Sequence, residues 1–322
     1  MIGILPILPP SKVARCLLGL AKMKLHSLPP TINLHNLIPC NFKCGFCYAG
    51  FATAGRTRIP QTELHEILRQ IAASPLPGGL LRRKVTFAGG EPLLSPTVVE
   101  DIAHARSLGL VTSLVTNGSL LSEEKLRSLS PALDWLTISI DSLDAETNRR
   151  IGRANRGVVL SADEYLAKLR LARSLGIRVK INTVVNKANA AEDMTAFMRE
   201  ARPLRWKLFQ ATRIAGENGS EFDRWGVSEA VFRDYIARHA GVADAGVVLV
   251  PETQADIYGT YAMVGPNGCF FDNSQGDYRY SRPIVSVGVE AAWAEITFSA
   301  DRFRQRQGDY DFQTGSNRKE VA

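Results

Sequence analysis

Hydrophobic runs of strand length alternate with stretches of helical periodicity through the first two thirds of the chain. The pattern predicts six strands, at residues 31–38, 84–88, 111–115, 135–140, 177–185 and 205–210. It predicts helices between them, at residues 61–73, 97–108, 162–175 and 191–200, and a shorter helix that begins at Ser122. Strands separated by helices form parallel sheets with crossover connections. We therefore predict an α/β fold, a partial (β/α)6 barrel, over residues 31–215.

The two ends of the chain lack this alternation. Residues 1–30 contain a proline-broken apolar stretch, followed by a segment at 12–28 that fits either a short amphipathic helix or a capping segment. From about residue 216 the alternation gives way to stretches rich in glycine and asparagine, such as 265–268. We predict an N-terminal segment at 1–30 and an irregular C-terminal extension at 216–322.

Composition indicates a globular intracellular enzyme. The 322 residues are 45% hydrophobic, and five cysteines in a chain of this length do not indicate a disulfide framework. The net charge of +7 is compatible with anionic partners, although a well-solvated basic surface explains the same excess. Apolar runs stay shorter than the roughly 20 residues that span a membrane. The N-terminal stretch does not have the pattern of a signal peptide.

Three of the five cysteines lie within eight residues, at Cys40, Cys44 and Cys47. Cubane iron–sulfur clusters are normally held by four thiolates, so three on one loop leave one iron open to a non-protein ligand. The remaining thiols, Cys16 and Cys269, form no second pair at short spacing. A structural zinc site needs four closed ligands. Zinc and coincidence remain as alternatives, but the spacing favours a reactive cluster.

Further motifs follow the predicted strands. Gly89-Gly90-Glu91 comes after the second strand, where glycines allow the backbone to approach a ligand and Glu91 offers a carboxylate to an ammonium group. Thr116-Asn117 and Ser139 follow or end the next two strands. Each motif alone is also typical of a turn. Because the active sites of such barrels lie at the C-terminal ends of the strands, we expect the motifs and the cysteines to share one site.

Cations alternate with apolar residues on the last two predicted strands. Lys180 and Asn182 share one face of their strand, as do Arg205 and Lys207 on the next, while Ile181 and Trp206 lie on the other face. If the apolar face packs against helices, the cations point into the barrel, with Lys84 a further candidate. Such a cluster would bind a polyanion such as a phosphate chain. The opposite orientation, or solvated strand tips, remains the alternative.

Together these segments resemble the viperin family, the radical SAM enzymes of antiviral defence, and specifically its prokaryotic members. The resemblance covers about residues 31–310 and is carried by residues 40–47, 86–92, 116–119, 151–153, 180–182, 205–210, 250–252 and 287–290. It implies that a [4Fe-4S] cluster and S-adenosyl-L-methionine generate a 5′-deoxyadenosyl radical. It also implies dehydration of a ribonucleoside triphosphate (CTP, UTP or GTP) to the 3′-deoxy-3′,4′-didehydro form, which terminates chains made by viral polymerases.

The resemblance assigns roles to residues at matching positions. The implied cluster ligands are Cys40, Cys44 and Cys47. The implied contacts to S-adenosylmethionine are Phe46, Gly89, Gly90, Glu91, Thr116, Asn117, Ser139 and Arg153. The implied nucleotide contacts are Lys84, Arg153, Lys180, Asn182, Arg205 and Lys207, with Lys180 and Lys207 also counted as catalytic beside the cysteines. A low-potential electron donor such as flavodoxin or ferredoxin is implied, and the C-terminal extension is expected to cover the nucleotide.

The sequence departs from animal viperins at several points. Ala88 stands where they carry a serine, and their late-acting tyrosine aligns near Asn267. Tyr258 and Tyr261 lie in the same extension and could substitute, although both also fit a packing role. The long amphipathic helix that places animal viperins on membranes is missing or reduced to residues 12–28. We therefore expect a cytoplasmic enzyme without stable membrane association and without a nucleic-acid partner.

Two other functional classes remain open from the sequence. One is a radical SAM enzyme that modifies a peptide or an RNA, although the chain shows neither further cysteine clusters nor an added basic module. The other is a non-enzymatic metalloprotein that binds nucleotides.

Overall fold

Parallel strands form the centre of the molecule at the positions that the hydrophobic pattern predicts. The computed structural model describes residues 27–78 and 80–313. The six predicted strands are β1 (Thr31–His35), β2 (Lys84–Ala88), β3 (Val111–Thr116), β4 (Trp135–Ser139), β5 (Arg178–Val185) and β6 (Arg205–Gln210). Four more follow: β7 (Val248–Glu252), β8 (Met263–Val264), β9 (Cys269–Asp272) and β10 (Arg279–Pro283).

Helices connect and cover these strands. Those between β1 and β6 are α1 (Gln61–Ala73), α2 (Val98–Ser107), α3 (Glu123–Leu129), α4 (Ala145–Arg150), α5 (Ala162–Ser174) and α6 (Thr195–Ala201). After β6 come α7 (Phe222–Trp225), α8 (Glu229–His239), α9 (Gln254–Ile257), α10 (Ile284–Val287), α11 (Val289–Trp293) and α12 (Ala300–Gln305). In the described part of the chain, no helix is both long and apolar enough to cross a membrane.

The described strands form one sheet in the order β10-β9-β8-β1-β2-β3-β4-β5-β6-β7. Neighbours from β1 to β7 pair in parallel, and β8 pairs in parallel with β1. Only β8–β9 and β9–β10 are antiparallel. The C-terminal extension is therefore more regular than expected, because its strands extend the predicted six-stranded sheet beyond both of its edge strands. The division into domains at residues 30 and 215 stays a prediction.

Alternation along the strands separates the core from a central cavity. On one face, Ile181, Trp206 and Leu208 are fully buried in the hydrophobic core beneath the helices. On the other face, Lys180 and Lys207 line the cavity. The amphipathic helix α1 completes the core with Leu64, Ile67, Leu68 and Ile71. The orientation expected from the alternation is therefore the one that the structure shows.

Local hydrogen bonds explain where the predicted boundaries shift. β1 ends at His35 rather than residue 38, because Ile59 N donates to Asn36 O (3.0 Å) and Ile38 N to Thr57 O (2.8 Å). α6 begins at Thr195 rather than at residue 191, because turns built around Asn186 and Asn189 precede it. The expected helix or capping segment at 12–28 lies almost entirely outside the described residues.

Candidate active site

The cavity runs along the inner face of the central strands, from first residues such as Thr31, Lys84 and Arg205 to the motifs at their C-terminal ends. Its wall combines inward side chains of β1 to β6 with the cysteine loop (residues 40–47) and the segment that follows α12. The predicted site residues on this wall are Cys40, Cys44, Phe46, Cys47, Lys84, Gly89, Gly90, Thr116, Asn117, Ser139, Arg153, Lys180, Asn182, Arg205 and Lys207. The structure thus places the predicted site residues on one wall, and Glu91 lies behind it, in contact with Thr116 and Asn117.

The cysteine loop is fixed against the turn that follows α4. Lys43 N donates to Gly152 O (3.0 Å) and Gly45 N to Ile151 O (3.1 Å). Gly152 has φ of +79°, and a Cβ on it would lie 1.9 Å from the Lys43 carbonyl oxygen. A residue with any side chain would therefore push the loop away from this turn.

The three thiols of this loop face the same cavity. Backbone N–H groups donate to two of them, Phe42 N to Cys40 Sγ and Ala49 N to Cys47 Sγ (both 3.4 Å). Burial raises the pKa of all three thiols, that of Cys44 to about 12. Because a metal displaces the thiol proton, such buried thiols favour the thiolate only when iron is bound. The donor set therefore fits a [4Fe-4S] cluster.

The thiols are spread along the wall. Within residues 27–78 and 80–313, no three His, Cys, Asp or Glu side chains lie close enough together to hold a single metal ion. A cluster instead distributes its thiolate ligands over several irons.

The Gly-Gly-Glu segment packs against the chain that enters the cysteine loop. Gly90 N donates to Leu37 O (2.8 Å), and a Cβ on Gly90 would lie 2.1 Å from Pro39 O. Glycine is therefore required here by close backbone approach, in addition to any contact with a ligand.

Glu91 is not among the residues that line the cavity, and its contact with S-adenosylmethionine stays a prediction. Its carboxylate accepts hydrogen bonds from Thr116 Oγ1 (2.7 Å), Asn117 N (2.8 Å) and Leu93 N (3.0 Å). The residue is 1% exposed, and burial raises its pKa. Glu91 therefore joins the end of β2 to the end of β3 and holds Asn117 in place.

Asn117 in turn contacts the cysteine loop. Its Nδ2 donates to Asn41 Oδ1 (2.9 Å) and approaches Cys40 Sγ at 3.9 Å. Its Oδ1 accepts from Ser119 N (2.9 Å). The Thr116-Asn117 motif therefore connects the end of β3 to the cysteine loop through Asn117 and Asn41. Both residues of the motif also line the cavity.

Arg153 forms a buried ion pair with Asp141 at this end of the cavity. The two side chains are 8% and 1% exposed, and Nε of Arg153 donates to Asp141 Oδ2. Burial opposes the charge of Arg153, but Asp141 and then Cys44 keep its pKa raised. A permanent cation therefore lies beside the thiols.

The opposite end of the cavity is basic. Lys84 and Lys180 both donate to the hydroxyl group of Tyr310, Lys84 at 2.5 Å. The Arg205 guanidinium lies 4.1 Å from the centre of the same ring. Burial lowers the pKa of Lys84 to about 7, helped by the charge of Lys207, and lowers that of Lys180 well below its usual value. The cations therefore destabilise each other unless an anion joins them.

The sequence analysis did not identify Arg306, Glu252 and Tyr310 as parts of this end. Arg306 pairs with Glu252 (3.1 Å), which also pairs with Lys207 (2.5 Å). Glu252 lies in the segment 250–252 that carries part of the family resemblance, although no role followed from it, and it ends β7. Arg306 and Tyr310 follow a short helix with no strand pattern, and only the fold brings them to the cavity.

Four polar side-chain atoms of the described cavity wall are buried without a partner. They are Oγ1 of Thr31, Nδ1 of His35, Oδ1 of Asn182 and Nε of Arg205. Buried polar atoms are normally hydrogen-bonded, so an unpaired acceptor and donor on a cavity wall indicate a missing ligand.

Tyr261 is the tyrosine of the extension that reaches the site. Its hydroxyl donates to Glu252 Oε2 and accepts from Lys207 Nζ (2.9 Å). Tyr258 donates instead to Arg213 O (2.6 Å), and Asn267 accepts from Cys269 N in a turn (3.2 Å). Of these three residues, only Tyr261 lies on the cavity wall. Ala88, at the end of β2, also lies on this wall.

Comparison with known proteins identifies the family. Residues 39–201 match the Radical SAM superfamily. The S-adenosylmethionine-dependent nucleotide dehydratase of Flammeovirga pacifica is 38% identical over 292 residues, which cover 89% of this chain and 97% of that protein. This chain belongs to the radical SAM family of S-adenosylmethionine-dependent nucleotide dehydratases. A dehydratase of the same family, from Lacinutrix mariniflava, is also 38% identical, and the match covers 89% of this chain and 60% of that relative's length.

A solved structure of another protein has the same fold as this chain. Streptococcus suis SuiB, crystallised with S-adenosylmethionine, superposes with a TM-score of 0.58 at 18% identity. The match covers 80% of this chain and 64% of SuiB. The predicted fold class is confirmed. Family membership also confirms the predicted cofactors, a [4Fe-4S] cluster and S-adenosylmethionine, over the zinc alternative.

Proposed function

We propose that this enzyme dehydrates a ribonucleoside triphosphate (CTP, UTP or GTP) to its 3′-deoxy-3′,4′-didehydro form, a chain terminator in antiviral defence. The relatives named as nucleotide dehydratases support a nucleotide substrate. The observation that carries the triphosphate is the convergence of buried cations from β2, β5 and β6 at one end of the cavity.

The charge balance of this end supports a polyanion. The five cations are Lys84, Lys180, Arg205, Lys207 and Arg306, and the carboxylate paired with them is Glu252. Buried charges are costly unless they are paired. A triphosphate carries enough negative charge to pair with the remaining cations, and arginine and lysine suit phosphate oxygens.

The two ends of the cavity would bind different molecules, the cofactors at one end and the triphosphate at the other. When bound, the cluster and S-adenosylmethionine supply a radical that removes the C4′ hydrogen of the ribose. Cys40, Cys44 and Cys47 would hold the cluster, and Arg153 and the Gly89-Gly90 backbone would position S-adenosylmethionine next to it. The cations would anchor the triphosphate and so hold the ribose near the cofactor, because orientation is what the protein contributes to such chemistry.

Asn182 and Tyr261 would act between these ends. Asn182 has an unpaired oxygen that can accept a ribose hydroxyl. The Tyr261 hydroxyl donates its proton to Glu252 and accepts from Lys207, and it would take the place of the late-acting tyrosine of animal viperins. We further propose that the enzyme is cytoplasmic, uses a low-potential electron donor, and has residues 216–322 as the part that covers the nucleotide.

The decisive experiment offers each nucleotide separately. The cluster is reconstituted without oxygen, and dithionite and S-adenosylmethionine are added with CTP, UTP, GTP or ATP. We expect one nucleotide to stimulate 5′-deoxyadenosine formation and to yield a product lighter by one water. If S-adenosylmethionine is cleaved at the same rate with and without each nucleotide, the proposed substrate class is wrong.

A further inference from the structure

The proposed reaction requires electrons from outside the chain. Nucleotide, S-adenosylmethionine, two electrons and one proton give the didehydro nucleotide, water, methionine and 5′-deoxyadenosine. The C4′ hydrogen passes to 5′-deoxyadenosine, and the leaving 3′ hydroxyl takes the proton and becomes water. The inference below rests on the proposed function, because only an enzyme that consumes electrons needs a surface for a donor.

Four exposed cations surround the outer side of the cysteine loop, and we call them the basic collar: Lys43, Arg150, Lys187 and Arg224. Backbone contacts place them side by side. Lys43 N donates to Gly152 O, two residues beyond Arg150. Arg150 donates to Ala188 O (3.1 Å), beside Lys187. Lys187 Nζ donates to Asp223 O (2.6 Å), beside Arg224.

A small group of packed hydrophobic side chains connects the basic collar to Cys44, a predicted ligand of the iron–sulfur cluster. Phe46, Ile151 and Trp225 form a small buried hydrophobic cluster against which Cys44 packs. Trp225 lies so close to the loop that a Cβ on Gly45 would meet its indole nitrogen at 2.5 Å. Arg224 lies over the same ring, 4.8 Å from its centre. A protein docked on the basic collar would therefore lie close to the iron bound by Cys44.

Cations outnumber carboxylates on this surface. Arg149 and Arg156 are also exposed, at the C-terminal end of α4 and in the turn beyond it. The acidic side chains on the neighbouring segments are Asp144, Glu146, Glu217, Glu221 and Asp223. Glu146 pairs with Arg149 (3.5 Å) and Glu221 with Arg224 (4.0 Å), while Glu217 accepts from Ala52 N (3.2 Å). The cations of the basic collar face solvent, whereas those of the basic end are buried in the cavity. They are therefore available to another macromolecule rather than to the nucleotide.

We propose that the basic collar is the docking surface for a small acidic one-electron carrier protein, such as a flavodoxin. Complementary surface charge accelerates encounter and fixes orientation, and it makes association sensitive to salt. Electron transfer slows steeply with distance, and the contact of Arg224 with Trp225, which packs in the same hydrophobic group as Cys44, gives a short path from this surface to the iron–sulfur cluster.

The test reverses three charges of the basic collar, in the variant Arg150→Glu, Lys187→Glu and Arg224→Glu. A matched control reverses Arg69→Glu, Arg127→Glu and Arg170→Glu, which are 61%, 58% and 59% exposed on α1, α3 and α5. Binding of oxidised flavodoxin to each purified protein is measured by biolayer interferometry at low and high salt. Turnover of the reconstituted enzymes is then measured with reduced flavodoxin and, separately, with dithionite.

We expect the collar variant to bind flavodoxin about tenfold or more weakly at low salt, and the control to bind like wild type. Flavodoxin-driven turnover should fall in the same ratio, whereas dithionite-driven turnover should be unchanged. Equal binding and turnover by the two variants would overturn the docking surface. If wild type shows no nucleotide-stimulated turnover with dithionite, the proposed function fails instead, and the binding result still decides the docking surface.

Discussion

Two buried acidic residues order the cofactor end of the cavity through different partners. Glu91 accepts three hydrogen bonds from the ends of neighbouring segments and is not on the cavity wall. Asp141 pairs with Arg153, which is on the wall. Changes at these residues should therefore separate stability from binding of S-adenosylmethionine.

Replacing Glu91→Gln should lower the free energy of unfolding by about 1–3 kcal/mol, because an amide NH2 then faces buried donors. Urea denaturation measures this change. The control Glu123→Gln, on an exposed side chain of α3 (64%), should leave stability unchanged. Full stability of Glu91→Gln with lost binding of S-adenosylmethionine would show that Glu91 acts on the ligand instead.

Replacing Arg153→Met should cost about 3–5 kcal/mol of unfolding free energy, because Asp141 stays buried without its partner. The double variant Arg153→Met, Asp141→Asn should recover most of that loss. Binding of S-adenosylmethionine, measured by calorimetry, should remain weak in both variants. Normal binding in the double variant would contradict the proposed contact of Arg153 with the cofactor.

At the scale of elements, β2, β5 and β6 each carry cations that the apo fold does not stabilise. Lys84, Lys180 and Lys207 all have lowered pKa values, with burial as the largest cause. Destabilised cations of this kind are expected where selection for binding a polyanion, rather than for stability of the fold, has determined which side chains are present.

Replacing Lys180→Met should therefore leave the apoenzyme as stable as wild type or stabilise it by about 1 kcal/mol or more, while nucleotide binding is lost. The folded-state pKa of Lys180 lies below that of an unfolded lysine, about 10.4. Wild-type stability should thus rise with pH toward that value, and the gain in the variant should be larger at pH 6 than at pH 9. Thermal denaturation measures both effects. A variant that binds nucleotide normally would contradict the proposed site.

Nucleotide affinity should fall as pH rises from about 7.5 to 9. In the free enzyme the pKa is about 7 for Lys84 and about 8 for Lys207, so both lysines are partly or largely neutral in this range. A bound triphosphate raises these values, so binding takes up protons, and each proton changes the affinity by up to about tenfold per pH unit. Calorimetry in two buffers of different ionisation enthalpy measures the uptake. Lys84→Met should reduce it, and a pH-independent affinity would contradict this linkage.

At the scale of the whole molecule, the cysteine loop depends on the turn after α4, more than one hundred residues later in the chain. Its position is fixed by backbone hydrogen bonds from Lys43 and Gly45 to that turn. The basic collar, and the packing of Cys44 against Phe46, Ile151 and Trp225, depend on the contact between these two segments.

Two glycines of that turn provide a matched test. Gly152 (φ +79°) has no room for a Cβ, whereas Gly157 (φ +82°) has open space around it. Gly157→Ala should cost only the backbone strain, about 1–2 kcal/mol. Gly152→Ala should add displacement of the loop and lower the iron content after reconstitution. Equal iron content in the two variants would show that the contact with Lys43 O does not control the loop.

Local sequence patterns were enough to predict the parallel strands and the cysteine loop, because periodicity and apolar composition are properties of each segment. Alternation also grouped Lys180 and Lys207 on faces opposite to Ile181 and Trp206. It left open which face turns inward, and the packing of Ile181 and Trp206 beneath the helices resolved that choice. The roles of the individual site residues stay proposals.

The contacts of each inward residue depend on how remote segments pack. Glu91 belongs to a strand-end motif, yet its donors come from Thr116 and Asn117, and no periodicity specifies that pairing. Arg306 and Tyr310 reach the basic end because the chain folds back from α12 across the sheet. Such contacts depend on the distance between remote segments after folding, which is a property of the packed molecule and not of any local pattern.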